Sequence, residues 1–283
     1  MYGEKLNKHD TLGERMKHYE SHVTETYLEP DLPLYARIDG RAFHTLTRGL
    51  NKPFDIDFSK VMQMTCVALV EETGANLGYV QSDEISLGWS RTDKAPFNGR
   101  LFKLTSVLAS IAGAVFMNKI LTTISPTSQL YMKIKDGATP TFDCRIFNVP
   151  NLEELVNSFI WRQNDCTKNC VSTVAHHYYS TDQLHKKSSK EMIEMINAAG
   201  LDYDRVPMQY QLGTFYHRVK ELRVVPEESL QYISDDQKIV NEDGEICVVR
   251  THIDQFDIPC RIAQIENRIG ALFEDEPIKI KED

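Results

Sequence analysis

The chain has 283 residues and a mass of 32.5 kDa, a length for one large or two smaller domains. Lys and Arg number 32 against 41 Asp and Glu, giving a formal net charge of −9 and a pI near 5.5. That excludes a uniformly basic nucleic-acid binder but leaves room for a basic stripe on an acidic body, and a composition 41% hydrophobic and 26% charged excludes a disordered or collagen-like chain.

Residues 1–29 are polar, with Leu12, Met16, Tyr19 and Val23 at helical spacing. They contain no apolar signal core, so a cytoplasmic setting is expected rather than secretion. Pro30 and Pro33 stop this segment, and residues 34–38 are predicted to form a short buried strand that ends at Asp39-Gly40. Residues 55–73 carry a helical pattern, with Asp55 or Asp57 as cap, Val61, Met64, Ala68 and Leu69 on the apolar face, and Gly74 as the break. Residues 77–81 and 85–89 are apolar runs separated by Ser82-Asp83-Glu84, which predicts a β-hairpin with an acidic tip. After a Gly- and Pro-containing loop over 90–99, residues 100–121 predict an apolar helix buried on most sides. Its stretch 104–121 is interrupted by Ser106, Ser110, Asn118 and Lys119, so no membrane partner is expected. Residues 141–149 predict another strand, closed by Pro150.

The order β-α-β-β-α-β over 34–149 is that of a split-βαβ, ferredoxin-like unit. This is an α+β fold with a four-stranded antiparallel sheet and both helices on one face. Beyond it, residues 152–179 and 188–199 are predicted helical, with Gly200 as a cap. Residues 213–260 predict short strands joined by an exposed loop, since 226–245 holds seven acidic residues and one Lys. The predicted organisation is a sheet domain over 1–150, a helical arm over 151–215 and a C-terminal extension over 216–283. Six cysteines, at 66, 144, 166, 170, 247 and 260, form no CxxC pair and are expected as free thiols. Cys166 and Cys170, near His176 and His177, lie four apart on a predicted helix and are expected as buried thiols rather than a zinc site.

In this topology the first and third strands are neighbours, which brings Asp39 beside Asp83 and Glu84. Singly, Asp39-Gly40 is an ordinary turn and Ser82-Asp83-Glu84 a solvated tip. Together their carboxylates would repel unless a cation lay between them, and Mg²⁺ takes one or two carboxylates plus phosphate oxygens. Gly40 allows close backbone approach, and its carbonyl is a further candidate ligand. Arg100 and Lys103 stand i,i+3 in the first turn of the second long helix, where free N–H groups favour an anion; a solvated helix end is an equal reading. Lys52 precedes the first long helix, and Arg37, Arg41 and His44 surround Asp39. No GxxxxGK[ST] or GxGxxG run supports a P-loop or Rossmann site.

The run Arg37-Ile38-Asp39-Gly40-Arg41-Ala42-Phe43-His44 followed by Lys52-Pro53 resembles the tRNA-His guanylyltransferase family. So does Gly78-Tyr79-Val80-Gln81-Ser82-Asp83-Glu84. Arg100 and Lys103, Phe142-Asp143-x-Arg145, Trp161-Arg162-Gln163-x-Asp165-Cys166 and, weakly, Gly213-Thr214 follow in family order. The resemblance implies a polymerase-palm-like nucleotidyltransferase that extends the 5′ end of tRNA in the 3′→5′ direction. ATP activates the 5′-phosphate, or a 5′-triphosphate is used, and the 3′-hydroxyl of GTP attacks. It implies two Mg²⁺ ions held by Asp39, the Gly40 carbonyl and Asp83, with Glu84 as the neighbouring acid. It implies triphosphate contacts from Lys52, Ser82, Arg100 and Lys103, with Phe43 and His44 by the nucleotide pocket, in a homotetramer with tRNA crossing subunits; Arg37 and Arg41, beside Asp39 in sequence, are also expected at the nucleotide. Thr167-Lys168-Asn169-Cys170 replaces the His-x-x-Asn-like run of the tRNA-His-dedicated enzymes, and residues 185–190 match their serine/lysine element only loosely. Both departures favour the like-protein branch of bacteria, archaea and phages, which repairs 5′-truncated tRNA.

A palm-type nucleotide cyclase would share the carboxylates but leave Trp161-Arg162-Gln163 unexplained. A non-enzymatic RRM-like RNA-binding module would need exposed aromatics on the central strands, with Tyr35 and Trp89 as candidates. Between 162 and 190 the charge reverses: Arg162, Lys168, Lys186, Lys187 and Lys190, with three histidines, face Asp165 and Asp182. That arm is expected to meet tRNA.

Overall fold

The computed structural model describes residues 10–90, 96–274 and 276–281. The first helix, α1 (Leu12–Thr24), opens with a capping box in which the Glu14 amide donates to the Thr11 hydroxyl and the Glu14 carboxylate accepts from the Thr11 amide. Its Leu12, Met16 and Tyr19 are all exposed. The predicted sheet then forms from β1 (Leu34–Gly40), β2 (Leu77–Gln81), β3 (Glu84–Trp89) and β4 (Phe142–Asn148), all pairs antiparallel in the order β4-β1-β3-β2. A one-turn helix, α2 (Phe43–Leu46), follows β1.

Two long helices cover one face. In α3 (Ile56–Thr73) the Asp55 carboxylate accepts the Phe58 amide at 2.9 Å, and Gly74, at φ 69°, ends the helix in a conformation that a Cβ disfavours. The buried stripe is Phe58, Val61, Met62, Cys66, Leu69 and Val70; Met64 and Ala68, expected on it, are only half-buried flanks. In α4 (Leu101–Thr123) burial is confined to Leu104, Leu108, Ala112, Phe116 and Ile120. The expectation of burial on most sides fails, because α4 packs on the sheet and α3 and leaves Phe102, Met117 and Leu121 exposed. Its polar interruptions also leave it long and apolar enough, by composition, to cross a membrane. Here its i,i+4 stripe is built into the core over β1 and β4 instead.

After α5 (Gln129–Lys135) and β4, the opposite face is covered by α6 (Leu152–Tyr178), capped by Asn151, and by the C-terminal α10 (Arg268–Phe273). Tyr35, Leu77, Tyr79 and Phe215 fill this second core with Leu155 and Phe159. The distal half of α6 packs with α8 (Ser189–Ala198) in a smaller cluster around Val171, Val174 and Ile196, linked through α7 (Thr181–Leu184) and α9 (Met208–Gln211). The strands expected to be short are long. β5 (Thr214–Val224) and β7 (Ile246–Phe256) have eleven residues each and, with β6 (Ile239–Val240), extend the sheet to β4-β1-β3-β2-β5-β7-β6.

Candidate active site

Side chains alternate across a strand, so Leu34, Ala36 and Ile38 enter the α3–α4 core while Tyr35, Arg37 and Asp39 take the α6 face. The register sets Asp143, Asp39, Glu84 and Gln81 in one row across β4, β1, β3 and β2, at the strand ends. One pleat inward lies a second row: Arg145, Arg37, Ser86 and Tyr79. An acidic row is thus backed by a basic one. The ties between them are Arg37 to Glu84 at 3.9 Å and Arg145 to Asp143 at 3.5 Å.

The hairpin turns on Ser82 and Asp83 alone, with Ser82 at φ 48°. Glu84, expected at the tip, belongs to β3 and is buried. The Gly40 amide donates to the Asp83 carbonyl at 3.0 Å, which fastens the end of β1 to this turn. Gly40 cannot be replaced freely, since a Cβ there would lie 2.5 Å from the Phe43 ring.

The two acids of the hairpin have opposite surroundings. Glu84 accepts from Arg162 Nε and Nη2, both at 2.7 Å, and Arg162 Nη1 donates to Asp165 at 2.7 Å. Both Glu84 oxygens are therefore occupied in a buried bidentate pair, so the expectation of Glu84 as the neighbouring catalytic acid is corrected. So is that of Arg162 on the tRNA-facing stripe, because its guanidinium is buried against Glu84. Among the described residues Asp83 and Asp39 have no such partner. Burial pushes the Asp83 carboxyl up, against hydrogen bonding from Ser82 and the field of His44. Burial, then the charges of Asp83, Glu84 and Asp143, push Asp39 up to about 6, with Arg37 opposing.

The donor set of Asp39, Asp83 and the Gly40 carbonyl is all hard oxygen and fits Mg²⁺. Among the described residues no three His, Cys, Asp or Glu side chains form a complete cage, but Mg²⁺ takes one or two carboxylates and completes its shell with water and phosphate.

Beside the acids, a cavity of about 210 Å³ runs between the segment before α3 and the flank of α6. Leu50, Asn51, Lys52, Asp55, Ser82 and Asn169 are among its walls, and Phe54 stacks on Tyr210 at 4.1 Å along one side. Gln81, Ser82 and Asn169 also line the cleft over Asp39 and Asp83, so the two spaces adjoin.

Other expected residues fall in different places. Phe43 is buried among Phe58, Phe116 and Phe142, a core ring rather than a pocket wall. His44 is exposed near Asp83, and Arg41 is exposed with its amide bound to the Thr141 carbonyl. Arg100 and Lys103 lie at the opposite end of the sheet. Arg100 bridges Tyr27, Leu28 binds Gly99, and the adjoining Glu29 amide binds Asn148, the partner of Leu34 at the start of β1. A seven-residue strand, roughly 20 Å, separates that point from Gly40, so within one chain these two cations do not reach the acid pair. Lys168, Lys186, Lys187 and Lys190 are exposed along α6 to α8, Lys187 paired with Glu191 at 3.0 Å. Tyr35 and Trp89 are buried, which removes the stacking surface an RRM-like module requires. Cys166 and Cys170 are buried free thiols, as expected. Sequence reasoning missed Asp143 as a member of the acidic row and Tyr210 as a cavity wall. The alternation in Phe142-Asp143-x-Arg145 carried a signal for Asp143; nothing local marked Tyr210.

A split-βαβ sheet whose first strand and central hairpin end in uncompensated carboxylates, beside a base-sized cavity, has the palm arrangement of nucleotidyl-transferring enzymes. Residues 13–150 match the model of the tRNAHis guanylyltransferase family. A bacterial tRNA(His) guanylyltransferase (Thg1)-like protein in complex with ATP is 34% identical, with a TM-score of 0.65 over 74% of this chain and 87% of that one. Such a protein in complex with GTP is 28% identical, with a TM-score of 0.64 over 90% and 94%. The tRNA(His) guanylyltransferase of Debaryomyces hansenii is 30% identical over 55% of this chain and 57% of its own length. This chain belongs to the tRNA(His) guanylyltransferase family and is a nucleotidyltransferase of that kind.

Proposed function

We propose that this enzyme adds GTP and other nucleotides to the 5′ end of tRNA in the 3′→5′ direction, and that repair of truncated 5′ ends is its main task. The observation that carries the reading is the adjoining of two unpaired carboxylates, Asp39 and Asp83, to a cavity of base size. In the reaction, the tRNA 5′-phosphate is activated by ATP as an adenylate, or arrives as a triphosphate. The 3′-hydroxyl of GTP forms the new bond to that α-phosphate, and AMP or pyrophosphate leaves.

The cavity takes the purine, with Leu50 an apolar wall beside the Asn51 and Asp55 side chains, which are bound to each other at 2.9 Å. Lys52 and Ser82, also among its walls, would meet the phosphates. Asp39, Asp83 and the Gly40 carbonyl would hold two Mg²⁺ ions, which when bound lower the pKa of an attacking hydroxyl and offset phosphoryl charge. Arg162 keeps Glu84 paired and out of this set. Lys168, Lys186, Lys187 and Lys190 offer the tRNA backbone an exposed cationic arm, so binding should weaken with salt. Thr167-Lys168-Asn169-Cys170 in place of a His-x-x-Asn-like run supports repair over tRNA-His-specific addition. Uncovered apolar side chains on α1 and α4 support a homotetramer, and six free cysteines suit a cytoplasmic setting.

The test supplies labelled GTP, ATP and Mg²⁺ with tRNA lacking its first nucleotide, or with a tRNA-His precursor. Mg²⁺-dependent labelling is expected, stronger on the truncated tRNA. Absence of transfer to either RNA would overturn the reading, and a cyclic nucleotide formed without RNA would favour a cyclase.

A further inference from the structure

The reaction has two substrates, and the cavity on the Ser82 flank of the acidic row accounts for one nucleotide. On the Arg37 side of that row stands Trp161, with 49% of its surface exposed. The chain's other tryptophan, Trp89, is buried and donates to the Thr73 carbonyl. The guanidinium carbons of Arg37 and Arg162 lie 5.4 and 4.6 Å from the centre of the Trp161 indole. Both guanidiniums also reach the buried Glu84 carboxylate, so they hold the ring in place. An indole fixed in this way, with the rest of its surface in water, is preorganised for stacking.

Its position matters as much as its exposure. Arg37 is one pleat from Asp39 on the same strand, roughly 7 Å along it. The register neighbour of Arg37 on the outer strand is Arg145, whose side chain is 59% exposed. A half-exposed indole and an exposed guanidinium thus flank the acid pair on the Arg37 and Arg145 side of the row. A nucleobase with its attached phosphate presents the complementary pair of groups, and a half-exposed indole at the surface is within reach of the end of a large RNA. We propose that Trp161 is the stacking platform for the terminal base of the RNA 5′ end, with Arg145 meeting the adjoining phosphate. This rests on the nucleotidyl-transfer reading above.

Because Trp89 is buried, tryptophan fluorescence reports the platform directly. Adding tRNA that lacks its first nucleotide to the full-length protein should quench the solvent-accessible emission, and GTP alone should not. Trp161→Phe should abolish the response. In labelling assays, Trp161→Ala should raise the KM for tRNA on the order of 10- to 100-fold, the scale of one lost base stack, with the KM for GTP changed far less. Trp161→Phe, keeping a ring, should restore most of that loss, which a merely structural defect would not predict. Label transfer without quenching, an unchanged tRNA KM in Trp161→Ala, or quenching by GTP alone would each overturn the platform while leaving the enzymatic reading intact. Quenching by tRNA without any label transfer would do the reverse.

Discussion

Where β1 ends, carboxylates from three strands crowd into one row; where it begins, Arg100 and Lys103 stand in water against α1. The cations at that second end are individually placed, Arg100 bound to Tyr27 and Lys103 over the Phe97 ring at 5.1 Å. At the first end Glu84 is held by Arg162 and Asp143 lies 3.5 Å from Arg145, while Asp39 and Asp83 are left with raised pKa values. Folding would favour apolar residues or a counter-charge at those two positions. Crowded, half-buried charge that the fold does not neutralise marks a site whose partner comes from outside, whereas exposed and separately satisfied charge marks a surface.

The sharpest break in this contrast is Asp83→Asn. It removes a proposed metal ligand and should lower the rate of label transfer by about a thousandfold, roughly 4 kcal/mol of barrier, without loss of fold. Equal transfer by the variant would sink the metal assignment. Next in size is Arg162→Ala, which strands Glu84 as a buried, unpaired charge. A stability loss of about 3 kcal/mol is expected in urea unfolding. Adding Glu84→Gln should recover much of it, because the stranded charge disappears. If the double variant is no more stable than the single one, the pair is not what holds this part of the sheet to α6.

These contrasts also explain what the sequence made legible. The palm elements were visible because their signals are local: the Asp55 cap, the Gly74 stop, and the alternation in β1 to β4. The acid pair was visible because topology alone makes the first and third strands neighbours. Glu84 was misread because it adjoins a polar turn, while its partner Arg162 lies 78 residues away. Phe43 was misread because it is near Asp39 in sequence, yet the missing Cβ of Gly40 lets its ring fold back into the core. The lengths of β5 and β7 were hidden because the outer half of β5 is largely exposed and neither strand carries a clean alternation of buried and exposed residues.

A smaller effect separates the acid end from ordinary surface charge through pH. The Asp39 carboxyl has an ordinary value of 3.8 and titrates near 6 in the fold. Between those values the native state holds a proton that the unfolded state has lost. Stability therefore falls as pH rises from about 4 through 6 and stays low above that. Without divalent metal, Asp39→Asn should be the more stable protein at pH 7.5, by on the order of 1 kcal/mol after allowing for solvent screening, and should show no advantage below about pH 4. With Mg²⁺ the order should reverse, because ion binding stabilises only the protein that keeps both carboxylates. Thermal melts in chelator and in Mg²⁺ decide this; wild type more stable than Asp39→Asn in chelator at pH 7.5 would contradict it.

The smallest effect is expected at the far end. Arg100 and Lys103 are exposed, and about 20 Å of strand lies between them and the acids. At that distance, screening leaves little direct interaction at physiological ionic strength. Arg100→Ala and Lys103→Ala should each leave the melting temperature in chelator nearly unchanged. More tellingly, each should leave the Mg²⁺-dependent rise in melting temperature as it is in the wild type. If either substitution reduces that rise, the cations sense the acid site after all. The route would then lie through a second subunit, since the path along β1 is too long for direct contact.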